Sequence, residues 1–253
     1  MGESVRPARR RDLRAAVAVM VCALAWAWKI PLACAAYQVI TVTDGGTIEG
    51  TVTLSGQPPA ESALRVTKNR DFCGNSLLDP TYTVAAGGGL ANVVVYLSDI
   101  SKGKAAPSEP LSLINQHCMF TPRAQGAMVS GQIRTSNDDE VLHNTHPRNA
   151  ETNSTIYNIA LPFKGFAVTK VLPGTPGLIE VKCDAHEWMK AWIVELENPY
   201  YATTDAAGHF VIREVPPGNY NLVAWHEAAG QRSQQIKIEP GRTVSAAMTL
   251  AAK

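Results

Sequence analysis

Apolar and polar residues alternate along much of the chain after residue 37, which is the pattern of half-buried β-strands. Ile48, Val52 and Leu54 lie on alternate positions between Gly46 and Gly56, and a β-branched run at 91–97 suits a central strand. Pro-Gly pairs and other turn residues separate such segments. The further strands predicted from this pattern cover 131–135, 163–171, 178–183 and 191–196. Short, regularly spaced strands without a convincing amphipathic helix predict an all-β chain organised as a β-sandwich.

A second β unit is predicted from about residue 198 to the end of the chain. It contains a turn at 205–208, a strand that buries Phe210 and Ile212, a Pro-Pro-Gly turn at 216–218, and a strand that buries Tyr220 and Leu222. The pattern G-x-F-x-I-x-x-V-P-P-G-x-Y resembles the carboxypeptidase regulatory-like, or carbohydrate-binding-like, β-sandwich modules, which have a prealbumin-like fold. The resemblance implies a small sandwich at 198–253 that acts as a spacer or docking module, with a weak glycan contact as the alternative.

The segment 37–110 is less clearly assigned by its sequence. Its strand from Gly46 to Val52 is similar to the opening strand of carboxypeptidase regulatory-like modules. The pattern leaves open which of the two sandwiches this segment joins.

The first 36 residues have the composition of an export signal. Five arginines at positions 6–14 precede an apolar run at 15–28, and small residues at 33–36 follow it. An apolar run of this length is too short to span a bilayer comfortably. We therefore expect export to the periplasm with cleavage near Ala35 or Ala36. Arg10-Arg11 keeps the twin-arginine route open beside general secretion, and Cys34 keeps a lipid-anchored form as a less favoured alternative.

The charge of the chain argues against two classes of partner. The chain has 23 basic and 22 acidic residues, and removal of the export signal leaves 17 and 20. A mildly acidic protein without a basic stripe is not expected to bind nucleic acid or a membrane surface.

The densest chemistry lies in the run Cys183-Asp184-Ala185-His186-Glu187-Trp188-Met189. A thiolate, two imidazoles and a weak axial thioether form the ligand set of a mononuclear copper site, because copper alternates between a sulfur-preferring and a nitrogen-preferring state. The second imidazole must come from elsewhere in the chain, and His143 or His146 can supply it. Zinc is the alternative metal, although structural zinc sites rarely use Met.

The spacing Cys183-x2-His186-x2-Met189 resembles the last ligand loop of the plastocyanin/amicyanin family of cupredoxins. The upstream segment 137–146 resembles the N-x-D-x(3)-H-N-x-H segment of the same family. The resemblance covers roughly 111–197 and implies a Greek-key sandwich that binds copper through His143, Cys183, His186 and Met189.

The same resemblance assigns supporting roles. Asn144 would hydrogen-bond to the Cys183 loop, His146 would be a structural neighbour, and Trp188 would lie beside His186, whose ring edge would be the surface port for electrons. Glu187-Trp188 departs from the Pro and Phe that are common there in amicyanin-like chains. The departure affects the expected reduction potential and docking surface, which depend on the surroundings of the ligands.

Cysteine usage fits an exported protein. Cys73, Cys118 and Cys183 remain after the signal is removed. If Cys183 binds copper, Cys73 and Cys118 are expected to form a disulfide in the oxidising compartment.

These observations predict a non-enzymatic periplasmic electron carrier whose partner is a c-type cytochrome or a periplasmic dehydrogenase. Two other classes of function stay open. One is copper handling without redox duty, and the other is an extracytoplasmic glycan-binding or protein-binding module on a cupredoxin scaffold.

Overall fold

The computed structural model describes residues 1–2, 37–60 and 62–253, and nearly all of the predicted export signal lies outside these ranges. The described residues are almost entirely β-structure, which confirms the predicted all-β class. One helix of four residues is present among them, and none is long and apolar enough to cross a membrane.

The strands in the first part of the chain are β1 (Gln38–Val39), β2 (Gly46–Ser55), β3 (Ala63–Arg65), β4 (Ser76–Leu78), β5 (Val94–Leu97), β6 (Lys102–Gly103), β7 (Leu111–Gln116), β8 (Met119–Thr121), β9 (Ala124–Met128) and β10 (Gln132–Asn137), with helix α1 (Arg70–Cys73) between β3 and β4. The remaining strands are β11 (His143–Asn149), β12 (Ile159–Leu161), β13 (Ala167–Val171), β14 (Gly177–Lys182), β15 (Lys190–Leu196), β16 (Tyr201–Thr203), β17 (His209–Val215), β18 (Gly218–His226), β19 (Gly230–Ile238) and β20 (Thr243–Ala251).

Strands β7 to β15 form the first sandwich. One sheet has the order β13-β10-β7-β8, and the other has the order β12-β11-β14-β15-β9. Their inner faces bury a shared core that includes Leu113, Ile133, Ile179, Val181 and Ile193. Alternate residues of each strand supply this core because successive side chains of a strand point to opposite faces.

The second sandwich is assembled from both ends of the chain. Its sheets have the orders β16-β5-β18-β19 and β17-β2-β20, and its core includes Ile48, Val52, Phe210, Leu222 and Met248. Strands β2 and β5 come from the segment 37–110, so this segment supplies strands to the second sandwich. The sequence-based boundary at residue 198 therefore leaves out two of its strands.

Two predicted strands were too long, and a left-handed residue explains each difference. The strand predicted at 91–97 begins at Val94, because Asn92 has a φ of 61°. The strand predicted at 163–171 begins at Ala167, because Gly165 has a φ of 83° within a turn. Neither value is compatible with an extended strand.

A buried ion pair joins the two sandwiches. The Arg123 guanidinium, between β8 and β9, donates to both carboxylate oxygens of Glu227 at 2.6 and 2.8 Å. The Trp192 indole donates to the same carboxylate at 2.7 Å and packs edge-on against Trp225. Arg123 also donates to the backbone carbonyl of Lys190. Trp225, near the end of β18, is therefore part of this junction.

Residues 62–78 form a flap on the first sandwich. Strands β3 and β4 pair only with each other, and α1 lies between them. The flap inserts Val66 into the first core, and a disulfide between Cys73 and Cys118 ties it to the loop between β7 and β8. The predicted disulfide is thus present.

Glu195 carries a buried carboxyl group. It lies on β15, is 3% exposed, and its Oε1 has no hydrogen-bond partner among the described residues. Burial raises the pKa of Glu195 from 4.5 to about 8, because an uncompensated carboxylate is poorly solvated in the interior.

This raised pKa predicts a pH-dependent stability. Between about pH 4.5 and 8 the folded chain keeps a proton on Glu195 that the unfolded chain has lost. The free energy of unfolding should therefore fall as the pH rises through this window, by at most about 1.4 kcal/mol per pH unit from this group. Urea unfolding of the copper-free protein at several pH values should show a flatter profile for Glu195→Gln. Parallel profiles for the two proteins would contradict the prediction.

Candidate metal centre

Three ligand atoms from one strand and one loop converge at one end of the first sandwich. His143 is the first residue of β11, Cys183 directly follows β14, and His186 lies in the loop before β15. Cys183 Sγ lies 3.9 Å from His143 Nδ1 and 3.7 Å from His186 Nδ1, and the two Nδ1 atoms are 2.9 Å apart. These residues form a group that could hold a metal ion.

The hydrogen-bond partners of the two outer imidazole nitrogens indicate the tautomer of each ring. His143 Nε2 lies 2.9 Å from a carboxylate oxygen of Asp139, and His186 Nε2 lies 2.9 Å from the side-chain oxygen of Asn69. Both partners accept, so each Nε2 carries the proton and each Nδ1 presents a lone pair. Two lone pairs that face each other at 2.9 Å repel, and a cation between them removes that repulsion.

The spacing of the three atoms suits a transition-metal ion. A point equidistant from all three lies about 2.1 Å from each, within the range of roughly 2.0 to 2.3 Å for metal bonds to imidazole and thiolate. One thiolate and two imidazoles are the trigonal donors of type 1 copper sites. The donor set and its spacing thus fit copper and suggest a copper protein.

Burial keeps the donors neutral in the copper-free protein. It raises the pKa of the Cys183 thiol, an effect partly offset by backbone hydrogen bonds to the sulfur. Burial also lowers the pKa of His143, and with the charges of His143 and Lys68 it lowers that of His186 to about 4. Both imidazoles are therefore ready to bind a metal near neutral pH, and binding displaces the thiol proton.

Met189 lies in the same loop as Cys183 and His186. Its side chain is fully buried in the first core, and its backbone N–H donates to the carbonyl of His186 at 2.9 Å. This hydrogen bond closes a tight turn within the ligand loop, and a thioether from this loop would be a weak fourth ligand to copper.

Asn144 links β11 to the Cys183 loop. Its side-chain oxygen accepts hydrogen bonds from the backbone N–H groups of Asp184 and Ala185 at 2.6 and 3.1 Å. Its own backbone N–H points at Cys183 Sγ at 3.4 Å. The two ligand-bearing segments are thus held together by contacts that do not need a metal.

His146 and Trp188 lie around the centre rather than in it. His146 contacts the Asp184 carboxylate at 2.9 Å and the Thr155 hydroxyl at 2.9 Å, and it is not among the converging donors. The Trp188 ring centre is 4.9 Å from that of His186, and its indole N–H donates to the carbonyl of Cys118.

One expectation from the family resemblance is wrong. His186 does not present an edge to solvent, because its side chain is 0% exposed. The flap lies over it, and the side-chain oxygen of Asn69, at the start of α1, accepts a hydrogen bond from its outer nitrogen. The ring is therefore separated from solvent by the flap.

Sequence reasoning missed two residues that orient the ligands. Asp139 is buried, binds His143, and accepts from the backbone N–H groups of His117 and Cys118 at 2.7 Å each. Its spacing of four residues before His143 was the available signal. Asn69 carried no such signal, because it lies 117 residues from His186 in the chain. Such partners fix the orientation of ligand imidazoles.

Asp139, Cys118 and His143 also cluster closely enough to hold a metal ion. Cys118 is bonded to Cys73, however, so its sulfur is not a thiolate. This cluster is therefore better described as the support of His143.

Comparison with known proteins is consistent with two β modules. Residues 193–251 match the carboxypeptidase regulatory-like domain, as the pattern in this part of the sequence predicted. No curated protein sequence matches the chain.

Solved cupredoxin structures resemble part of the chain. A copper-containing nitrite reductase from Thermus scotoductus SA-01 is 17% identical with a TM-score of 0.33, covering 38% of this chain and 24% of its own. A purple cupredoxin from Nitrosopumilus maritimus is 20% identical with a TM-score of 0.29, covering 34% and 98%. Amicyanin from Paracoccus versutus is 11% identical with a TM-score of 0.31, covering 36% and 84%.

The chain spans about a quarter of the length of the nitrite reductase. These likenesses are too partial to indicate a function, so the candidate centre rests on its own geometry.

Proposed function

We propose that this chain is a periplasmic copper protein that transfers single electrons between redox partners. The observation that carries the proposal is the convergence of one thiol and two imidazole nitrogens within 3.9 Å of one another in a buried site. Met189, buried in the same loop, is the proposed axial ligand. Copper, when bound, supplies a couple that gains and loses one electron.

The protein's part is to hold the ligands still in both oxidation states. Asp139 and Asn69 fix the two imidazoles, and Asn144 fixes the Cys183 loop. Ligands anchored in this way move little when the charge of the ion changes. Small movement favours rapid electron transfer, and we propose a carrier rather than an enzyme.

The proposed compartment and partners follow from the chain's chemistry. The basic and apolar N-terminal segment and the Cys73–Cys118 disulfide support an oxidising, exported location. A c-type cytochrome or a periplasmic dehydrogenase is the proposed partner. Redox encounters of this kind use small, transient interfaces.

Copper handling without redox duty is the second candidate. The complete burial of His143 and His186 favours long retention of an ion, which a storage protein would need. The two candidates differ in the spectrum that they predict. A carrier should show an intense visible thiolate-to-copper band, whereas a storage site should bind Cu(I) tightly and be nearly colourless.

Optical and paramagnetic-resonance spectra of the copper-loaded protein test the proposal. We expect an intense visible band that bleaches on reduction and returns on oxidation. His143→Ala and Cys183→Ser should abolish it. His146→Ala is the matched control, because this neighbouring imidazole does not face the other donors, and it should keep the band. A colourless protein with an ordinary tetragonal Cu(II) spectrum would remove the electron-carrier proposal.

A further inference from the structure

One hydrogen bond connects a ligand of the buried centre to an exposed residue of the flap. His186 Nε2 donates to Asn69 Oδ1 at 2.9 Å. His186 is fully buried, whereas Asn69 is exposed. A single flap side chain therefore links this ligand to the surface.

The outer surface of the flap is cationic. Residues 62–78 contain three basic residues, Arg65, Lys68 and Arg70, against one acidic residue, Asp71, whereas the chain after residue 36 has more acidic than basic residues. Lys68 is exposed and directly precedes Asn69, which contacts His186. A positive field at this point would steer an anionic partner toward the centre.

An exposed aromatic ring lies beside these charges. Phe72, in α1, is 44% exposed although it directly precedes the disulfide residue Cys73. Interfaces are enriched in aromatic and arginine side chains. The flap therefore combines a cationic rim, an aromatic contact and a polar link to a ligand.

We propose that a redox partner with an acidic face docks on the flap residues Lys68, Asn69, Arg70 and Phe72, and that Asn69 couples this surface to His186. This inference rests on the proposed electron-transfer function and names the surface that serves it. The disulfide fixes the flap, so the docking surface and the ligand keep one relative position.

A second exposed apolar patch provides the competing location. Leu142 and Phe163 are 48% and 60% exposed, and Leu142 directly precedes His143. Lys164 beside them is paired with Glu140 at 3.0 Å, so this patch has less free positive charge than the flap. Binding there would contradict the proposal.

The first experiment needs no copper. Hexacyanochromate(III), a redox-inert paramagnetic anion, is titrated into copper-free, isotope-labelled protein, and the broadening of amide signals is mapped. We expect the strongest broadening at residues 67–72 and its loss in Lys68→Glu. Lys237→Glu is the matched control, because this exposed lysine on β19 undergoes the same charge change and belongs to the second sandwich. Broadening centred on Leu142 and Phe163 instead would overturn the proposal.

The second experiment measures the rate of reduction. Hexacyanoferrate(II) gives one electron to the oxidised, copper-loaded protein and becomes hexacyanoferrate(III), while Cu(II) becomes Cu(I). At low ionic strength, Lys68→Glu should slow this reaction about fivefold or more, and should speed reduction by the cation hexaammineruthenium(II). Equal rates for Lys68→Glu and Lys237→Glu would overturn the proposal.

Asn69 is tested separately as a positioning residue. Asn69→Leu removes the hydrogen-bond acceptor for His186 and should slow reduction of the protein by both reagents. A change of charge would instead slow reduction by one reagent and speed reduction by the other. Unchanged rates with both reagents would contradict the coupling role. If the copper-loaded protein shows the visible band and its reversible bleaching, but the flap variants do not change the reduction rates, the proposed docking surface is wrong and the proposed function stands. If the wild-type protein lacks the band, the proposed function itself fails.

Discussion

Replacing Glu227 with alanine should lower the free energy of unfolding by about 3–5 kcal/mol, because it leaves the Arg123 guanidinium buried without its counter-charge. Both side chains are less than one-tenth exposed, and Glu227 accepts two hydrogen bonds from Arg123 and one from Trp192. Arg123 would retain its bond to the Lys190 carbonyl, which lies one residue after Met189.

Urea unfolding of the copper-free protein measures the first effect. The double variant Arg123→Met/Glu227→Leu is the control, since replacing a buried pair by apolar side chains is often nearly neutral. Its stability should lie well above that of Glu227→Ala. If both variants lose the same stability, the cost comes from packing and not from the unpaired charge.

The second large effect concerns the flap. Replacing Cys73 and Cys118 together with alanine should lower the free energy of unfolding by about 4 kcal/mol in the chain-entropy description of cross-links. The two cysteines are 45 residues apart in the chain, so the disulfide restricts a long loop of the unfolded chain. Without it, the flap is held by Val66, by the partly buried Leu64 and Leu77, and by the Asn69 bond to His186.

The same variant should release copper faster. Transfer of Cu(I) from the loaded protein to a coloured chelator would measure this, with the wild-type protein before and after mild reduction of the disulfide as the control. We expect both the variant and the reduced wild type to transfer the ion faster than the oxidised wild type. Identical rates in all three would mean that the flap does not limit access to the centre.

The ligand loop shows why part of this site could be inferred from sequence. Cys183, His186 and Met189 lie within seven residues, and the local backbone brings the donor atoms of Cys183 and His186 within 3.7 Å of each other. His143 required a family resemblance, because His146 is an equally plausible donor by residue type. The structure turns His146 toward Asp184, and only His143 faces the sulfur.

The alternation of apolar residues determined the all-β class, since burying one face of a strand requires a period of two. The Gly-Phe-Ile and Pro-Pro-Gly pattern likewise determined the second module. Both signals are local, and each can be read within a stretch of about 20 residues because strand and turn conformations depend on near neighbours.

Tertiary structure alone decided three features: that β2 and β5 complete the second sandwich, that Glu227 neutralises Arg123, and that Asn69 covers His186. The last two join residues 104 and 117 positions apart. Neither residue of such a pair marks its partner in the sequence, because the pairing depends on how whole sheets pack. The spacing of the ligands within the Cys183 loop could therefore be read from a short stretch of sequence. The burial of the centre and its connection to the surface were decided by the assembled fold.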